Sequence, residues 1–379
     1  MKETDLSLKE TPLAPLHRRL GARMVPFAGY FMPLHYQAGI LAESRHARSL
    51  ASLFDVSHMG QARLDGADFQ TLARGVERLV PGDILGLAPE QMRYTVLLNT
   101  DAGILDDLMV TRLAPHGEND HLFLVVNGVP RNADFAHIRT VFGEGLTEVT
   151  DRALLALQGP YASTALKRLA PSFDDAMPFM HAAFLSVAGI PCLVSRSGYT
   201  GEDGFEISVA ASDALALAES LLAERNVQPA GLGTRDSLRL EAGLCLYGAD
   251  IDATTSPLEA GLAWIIGRRR WEEANFPGAE RLLAERVTGL RRVRVGLVVE
   301  GGSPARAQAV ITDCTGTPIG IVTSGAFSPT LERPIAMGYV RPDHANPGTP
   351  VQIIVRERPQ AAKVVSLPFV AHRYHNHKM

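Results

Sequence analysis

The sequence predicts an α+β protein whose last third is a β-barrel or β-sandwich. Up to about residue 255, strand-like runs mix with helix-like runs, which is typical of helices packed on one face of an antiparallel sheet. From about residue 292, almost all of the chain consists of short strand-like runs punctuated by Gly and Pro. The chain has 379 residues, more than the roughly 250–300 that one core usually serves, so we expect two or three domains.

Each element follows from local pattern. Runs rich in apolar and β-forming residues indicate strands at 94–99, 121–127, 154–158, 192–196 and 205–209. Helical spacing of apolar residues indicates helices at 132–141, 162–169, 211–224 and 233–241. Glycines at 198, 201 and 204 favour a hairpin between the last two of these strands. In the last third, the predicted strands are 293–299, 309–313, 319–325, 335–340 and 350–355.

The bulk composition excludes several classes of protein. A net charge of −4 gives no indication of a nucleic acid or an anionic membrane as partner. We expect no secretory leader, and no apolar run approaches the ~20 residues that a membrane helix needs. The three cysteines lack any C-x-x-C spacing, which argues against a disulfide framework or a zinc site. We therefore expect a cytoplasmic protein that needs no metal. Dinucleotide-binding and Walker motifs are also missing.

A pair of acids, Asp106 and Asp107, lies within an apolar run. If this run is a strand, the two side chains face opposite sides, and the inward carboxylate needs a partner because burying it alone is costly. The alternative is a turn in which both acids are solvated.

Two further segments concentrate polar groups. Glycines in 198–204 can bring Tyr199 and Glu206 into one neighbourhood, although an exposed hairpin is the simpler interpretation. Arg235 and Arg239 share one helix face, which on its own favours a solvated, salt-bridged surface. The histidine-containing tail, 368–377, matches no standard metal site and is interpreted as a disordered end. Together, a carboxylate, a Glu–Arg pair and tyrosines suit a polar heteroaromatic ligand such as a pterin, whose adjacent N–H groups a carboxylate can accept in pairs.

The order of several longer motifs resembles the T-protein of the glycine cleavage system, the aminomethyltransferase family. The resemblance runs from Thr11 to Tyr374, nearly the whole chain. The motifs that carry it are GARMVPFAG (21–29), MPLHY (32–36), FDVSHMG (54–60), GILDDL (103–108), GYTGEDGFE (198–206), the segment 231–241 and TSGAFSPTL (323–331).

This resemblance implies three domains in a clover arrangement: two α+β (ferredoxin-like) domains and a C-terminal β-barrel. The first domain would comprise 1–56 and 149–254 and would bind folate. The second, 57–148, would be inserted into the first, and the barrel would occupy 255–379.

The resemblance also implies an enzyme that transfers the methylene carbon of the aminomethyl group on the dihydrolipoyl arm of H-protein to tetrahydrofolate. The products would be 5,10-methylenetetrahydrofolate and ammonia. Tetrahydrofolate would act as co-substrate without a metal, and other glycine cleavage components would bind transiently. Asp107 matches the family's essential carboxylate, and Glu206 matches the residue that hydrogen-bonds the pterin. The other matching folate or pocket positions are Arg235, Tyr374, Tyr94, Tyr199 and Asn127.

At Thr234, at Ala249 and at 128–130, the residues differ from those that are usual in the family.

One rival activity is a folate-dependent demethylase acting on a small methylated sulfonium or amine. Another is a non-enzymatic folate-binding protein that aids iron–sulfur assembly, but its Lys-Gly-Cys-Tyr-type motif is missing, and Cys245 is better explained as a packed residue. Basic clusters at 267–270 and 291–294 could dock an acidic H-protein, although solvated surface is the more economical interpretation.

Overall fold

The computed structural model describes residues 8–113, 120–301 and 303–375. These residues form three open sheets and a closed six-stranded barrel. The α+β class with a barrel at its C-terminal end is confirmed. No helix in the described part of the chain is both long enough and apolar enough to cross a membrane.

The strands are β1 (Lys9–Glu10), β2 (Arg23–Phe27), β3 (Tyr30–His35), β4 (Ala51–Asp55), β5 (Gly60–Gly66), β6 (Met92–Leu98), β7 (Ile104–Arg112), β8 (Asp120–Val126), β9 (Leu146–Glu148), β10 (Arg152–Gln158), β11 (His181–Val187), β12 (Ile190–Arg196), β13 (Gly204–Ala210), β14 (Val227–Pro229), β15 (Val293–Val299), β16 (Val310–Thr312), β17 (Pro318–Ser328), β18 (Arg333–Val340), β19 (Pro350–Val355) and β20 (Arg358–Val365). The helices are α1 (Ala14–Arg19), α2 (Gly39–Ser49), α3 (Phe69–Glu77), α4 (Arg131–Phe142), α5 (Ala162–Leu169), α6 (Ala214–Leu222), α7 (Leu232–Glu241), α8 (Arg268–Glu273) and α9 (Ala279–Thr288).

A six-stranded sheet has the order β11-β12-β13-β10-β4-β14. Its inward residues, such as Leu155 and Ile207, share one core with apolar residues of α5 and α6. The expectation of a purely antiparallel sheet is wrong at one edge, where β14 runs parallel to β4. The physical reason is that β14 follows α6, and a helix carries the chain across the sheet as parallel pairing requires.

A five-stranded antiparallel sheet, in the order β6-β7-β8-β5-β9, packs against α3 and α4. The helix α3 begins where the Asp68 carboxylate accepts a hydrogen bond from the amide of Thr71, which satisfies one of the unpaired donors at a helix start. The strand β7 lies between β6 and β8, so polar groups on its two faces and at its end are held by neighbours on both sides.

The barrel closes in the order β15-β18-β17-β16-β19-β20. Apolar side chains such as Leu297, Ile311 and Val364 fill its interior. Closure pairs both edges of the sheet, which settles the choice between barrel and sandwich left open by the sequence.

The start of β7 is pressed against the segment that leads to the barrel. The amide of Ile104 donates to the carbonyls of Asp252 and Thr255, both at 3.1 Å. A Cβ at Gly103 would lie 1.8 Å from the carbonyl oxygen of Ala253, so only glycine permits this approach. The contact fixes the position of the acids that follow in β7.

The interpretation of 368–377 as a disordered end is wrong for residues 368–375. The amide of Val370 donates to the carbonyl of Glu241 at 2.9 Å, and that of Arg373 to the carbonyl of Gly201 at 2.8 Å. These backbone bonds bind the segment to the first part of the chain. Residues 376 and 377 lie outside the described residues.

Candidate active site

The paired acids lie inside β7 and not in a turn. Val96 pairs with Asp107 and Leu97 with Asp106, so the two carboxylates point to opposite faces of the sheet. Asp106 is fully buried, whereas Asp107 is half-buried. Of the two alternatives left open by the sequence, the strand with its acids on opposite faces is therefore the correct one, and Asp107 is the more accessible acid.

Asn127 bridges the two acids. It follows the last residue of β8, opposite Asp107 in the sheet. Its Nδ2 donates to Asp107 Oδ1 at 2.8 Å and to Asp106 Oδ1 at 2.9 Å, and its backbone amide donates to Asp106 Oδ2 at 3.2 Å. One amide group thus orients both carboxylates.

Tyr94 lies on the same sheet face as Asp107, because it stands two residues before Val96 on the neighbouring strand. The tyrosine and the carboxylate share a side-chain hydrogen bond. Burial and the charge of Asp106 raise the pKa of Asp107 to about 7, although the bonds from Asn127 and Tyr94 oppose this rise. A carboxylate with a pKa near 7 is suited to accept and return a proton at neutral pH.

The second polar centre joins Glu206 to Arg235. Glu206 lies on β13, where Phe205 and Ile207 point into the apolar core and the acid points the other way. Arg235 lies in α7 with Nη2 at 3.8 Å from Glu206 Oε1. Their side chains are 9% and 13% exposed, so the interpretations of both as solvated surface are wrong.

Glu206 and Arg235 have few close hydrogen-bond partners within the protein. The nearest hydrogen-bond donor to Glu206 is the Ser197 hydroxyl at 3.5 Å, and burial raises the pKa of Glu206. Arg235 Nη1 is buried and has no hydrogen-bond partner among the described residues, while Nη2 donates a long hydrogen bond to Met59 Sδ at 4.0 Å. Buried charges with so few partners are costly, which is typical of groups that complete their bonding with a ligand.

Tyr199 connects the two centres. The guanidinium carbon of Arg235 lies 4.9 Å from the centre of its ring, and its hydroxyl donates to the carbonyl of Cys245. Burial raises the pKa of this tyrosine, and the charge of Asp107 adds to the rise.

Tyr374 comes from the segment that follows the barrel. Its ring stacks on Phe179 with centroids 4.1 Å apart, and His372 lies 4.8 Å from it. The neighbouring Arg373 donates to Glu202 Oε1 at 2.6 Å. Burial raises the pKa of Tyr374 to about 12. Among the described residues, no hydrogen bond or ring contact joins Tyr374 to the other predicted site residues.

The sequence did not predict a buried network around Arg48 or the position of Trp264. Arg48 donates to Glu202 at 2.7 Å and to Glu241 at 2.8 Å, and Glu241 also accepts from Ser328 of the barrel at 2.5 Å. This buried network holds α7 and the barrel together. Trp264, 68% exposed, stacks on Tyr94 at 5.7 Å between centroids. Sequence spacing offered no signal for either, because the partners are far apart along the chain.

The helix face shared by Arg235 and Arg239 is internal. Arg239 is 2% exposed and pairs with Asp250 at 2.5 Å. Thr234, which differs from the residue usual in the family, donates a hydrogen bond to Glu43 at 2.7 Å and helps to fix the start of α7. Cys245 is 7% exposed, which confirms its interpretation as a packed residue.

Most arginines of the two basic clusters form ion pairs or hydrogen bonds within the protein. Arg269 pairs with Asp83 at 2.6 Å, and Arg270 is 1% exposed and donates to the carbonyl of Glu77 at 2.6 Å. Arg294 donates to the carbonyls of Ala260 and Gly243, both at 2.8 Å. Of the first cluster, only Arg268 stands out into solvent. Most of these arginines therefore make contacts within the protein, and docking of H-protein at the two clusters stays a prediction.

Comparison with known proteins agrees with the fold and with the motifs. A family model for the GCVT N-terminal domain matches residues 13–270, and one for the glycine cleavage T-protein C-terminal barrel domain matches 292–371. The aminomethyltransferases of Gallus gallus and Solanum tuberosum, both named mitochondrial, are 46% and 44% identical over 97% and 98% of this chain and 94% and 92% of their own. The crystal structure of the glycine cleavage system aminomethyltransferase T from Bartonella henselae is 42% identical, with a TM-score of 0.90, covering 98% of this chain and all of that one. The chain belongs to the aminomethyltransferase family, the T-proteins of the glycine cleavage system.

Proposed function

We propose that this enzyme transfers the methylene carbon of an aminomethyl group, carried on the dihydrolipoyl arm of H-protein, to tetrahydrofolate. The observation that carries the proposal is the Asp107 carboxyl, which has a pKa of about 7 and is oriented by Asn127 and Tyr94. A buried Glu–Arg pair, Glu206 and Arg235, also retains hydrogen-bonding capacity for a ligand.

Glu206 and Arg235 are proposed to hold the pterin. A carboxylate accepts two adjacent N–H donors in parallel, and the amidine-like edge of a pterin presents such donors. Glu206 suits this role because its own contacts, at 3.5 and 3.8 Å, leave its oxygens able to accept shorter bonds. Tyr199, Tyr94 and Tyr374 are proposed as walls of the pocket.

Asp107 is proposed to manage protons. The reaction breaks the C–S and C–N bonds of the S–CH₂–NH₂ group and forms two C–N bonds to folate. The two folate nitrogens lose one proton each, and these protons end on the lipoyl sulfur and on ammonia. A carboxylate that accepts and returns a proton near pH 7 performs this relay, and its negative charge also stabilises the positive charge that develops on the transferred carbon.

The test mixes the purified enzyme with tetrahydrofolate and aminomethyl-loaded H-protein, and follows ammonia and methylenetetrahydrofolate together. Equal release of both, lost in Asp107→Asn, is the expected result. Folate binding without turnover would contradict the proposal, and small methylated donors would then be assayed.

We further propose that the chain has three domains. The first comprises 1–56 and 149–254, the second 57–148 and the third 255–379. In support, the six-stranded sheet takes its strands from both parts of the first unit, while the five-stranded sheet takes all of its strands from the second. Expressing 57–148 alone tests this division, and failure of the fragment to fold would contradict an independent domain.

We also propose a cytoplasmic location and transient contacts with the other glycine cleavage components. Three free cysteines suit a reducing compartment, and cell fractionation tests the location.

A further inference from the structure

A third carboxyl group lies behind the acids of β7. Asp134, in the first turn of α4, is 2% exposed, and Asp106 is completely buried. The two side chains are hydrogen-bonded to each other. None of the three carboxyls of Asp106, Asp107 and Asp134 forms an ion pair with a Lys, Arg or His of the described residues, so no cation compensates their charge.

Chemistry requires a proton in this contact. Ionised carboxylates only accept hydrogen bonds, so two of them cannot bond to each other. Asp134 Oδ2 is buried and meets no donor among the described residues, which would leave an ionised Asp134 unsatisfied. Asp106 differs, because Asn127 donates to both of its oxygens, at 2.9 and 3.2 Å. The proton therefore belongs on Asp134 and the negative charge on Asp106.

We propose that Asp134 holds a proton that it donates to Asp106, and that this pair positions Asn127 and, through it, the carboxylate of Asp107. Asp134 and Asp106 are thus positioning residues. The functional half of the inference rests on the proposed role of Asp107, whereas the shared proton does not.

The consequence for Asp107 follows from geometry. Asn127 Nδ2 donates to Asp106 and Asp107 at 2.9 and 2.8 Å, so an anionic Asp106 holds the amide in place. The same anion faces Asp107 through the strand and disfavours a second negative charge there. Burial and the charge of Asp106 raise the pKa of Asp134 to about 9, which agrees with a neutral acid at physiological pH.

Other titratable groups face this cluster from the surrounding elements. They are Tyr94 of β6, Tyr199 between β12 and β13, and Cys245 and Tyr247 after α7. Burial raises the pKa of each of these four groups, so all of them stay neutral around pH 7. The carboxyls are therefore the groups of this cluster that titrate in the working range.

The shared proton is tested directly by infrared difference spectroscopy of the whole enzyme at pH 8. A protonated-carboxyl band is expected there, lost above about pH 9. The band should be absent in Asp134→Asn and retained in Asp107→Asn. No band at pH 8, or a band that vanishes with Asp107→Asn and survives Asp134→Asn, would overturn the proposal. This measurement needs no turnover, so its failure is distinct from failure of the proposed activity.

The positioning role is tested by kinetics. Asp134→Leu removes the donor, so Asp106 takes up a proton and loosens its hold on Asn127. We expect kcat to fall about tenfold to a hundredfold with unchanged folate affinity, and the acid limb of the pH–rate profile to move to lower pH. Asp134→Asn, which keeps a donor, should restore both rate and profile. Asp106→Asn should move the limb in the same direction. A rate loss in Asp134→Leu without a shift of the limb would reduce Asp134 to a packing role.

Discussion

Arg235 Nη2 and Glu206 Oε1 lie 3.8 Å apart, close enough to attract each other and too distant for a short charge-assisted hydrogen bond. Each group therefore has bonding capacity that the protein itself does not use. The arrangement differs from that of Arg239 and Asp250, which meet at 2.5 Å.

The first prediction concerns this pair. Glu206→Ala and Arg235→Ala should each weaken tetrahydrofolate binding about 10- to 100-fold, because a hydrogen bond to a charged group contributes roughly 1.5–3 kcal/mol. Calorimetric titration measures the change. The exposed pair Arg45–Glu332, at 3.2 Å, supplies the control, and Arg45→Ala should leave affinity unchanged. Equal affinities for all three variants would remove the pair from the folate site.

The second prediction concerns Asp107. Asp107→Asn should bind tetrahydrofolate normally and lose at least about a hundredfold in turnover, the usual contribution of a positioned acid–base group. In the unmutated enzyme, kcat/KM should rise with pH through about 7, because the reactive form is the carboxylate and its pKa is raised to about that value. A profile that is flat between pH 6 and 8 would argue against the proton-accepting role.

The third prediction concerns stability as a function of pH. The pKa of Asp134 is raised to about 9, so between roughly pH 4 and 9 the folded protein holds a proton that the unfolded chain has released. Its contribution to the free energy of unfolding therefore falls as pH rises. The free energy of unfolding of the parent should therefore fall between pH 5 and pH 8 by more than that of Asp134→Asn. The difference between the two changes should be on the order of 1 kcal/mol or more.

Denaturant unfolding at pH 5 and pH 8 measures this difference, and Asp68→Asn is the control. The pKa of Asp68 is lowered, chiefly by the hydrogen bond from the amide of Thr71, so this acid is ionised in both states at both values of pH. Its substitution should cost the same at pH 5 and pH 8. Identical behaviour of the two variants would show that Asp134 is ionised in the folded protein.

The fourth prediction distinguishes the arginines of 268–270. Arg270→Ala should lower the free energy of unfolding by about 1–3 kcal/mol for each of two buried carbonyls, those of Glu77 and Val80, which lose their guanidinium donor. Arg268→Ala, at a side chain that is 92% exposed, should change stability little. If raising the salt concentration leaves H-protein binding unchanged, docking through charge at this site is excluded.

The fifth prediction concerns Tyr374. Tyr374→Ala removes the ring stacked on Phe179 and should weaken folate binding, whereas Tyr374→Phe keeps the stack and should retain most of the affinity if the ring forms a pocket wall. Equilibrium binding of tetrahydrofolate to both variants gives the comparison. Unchanged affinity in Tyr374→Ala would restrict the residue to holding the segment 368–375 in place.

Local pattern was sufficient for much of the fold. The strand around Tyr94 and the helix 162–169 were predicted because apolar periodicity and flanking Gly and Pro are properties of neighbouring residues. The parallel edge strand β14 and the packed segment 368–375 were not, since both depend on contacts made across the chain.

The candidate site shows the same division. Asp107, Glu206 and Arg235 were found because each lies in a distinctive motif. Asp134 and Trp264 were missed, since an acid in the first turn of a helix and an isolated tryptophan are both ordinary in sequence. Their importance arises from Asp106 and Tyr94, which are 28 and 170 positions earlier in the chain respectively. Such proximity is created only by folding.

The stack between Phe179 and Tyr374 has a consequence for biosynthesis. The ribosome makes residues 368–375 only after all six strands of the barrel, so the sheet that contains β11 must be complete long before its aromatic cover arrives. A chain that ends before residue 368 would contain every described strand of the three open sheets and of the barrel, yet would lack this wall. Activity should accordingly be lower in a chain truncated before residue 368 than in the full chain.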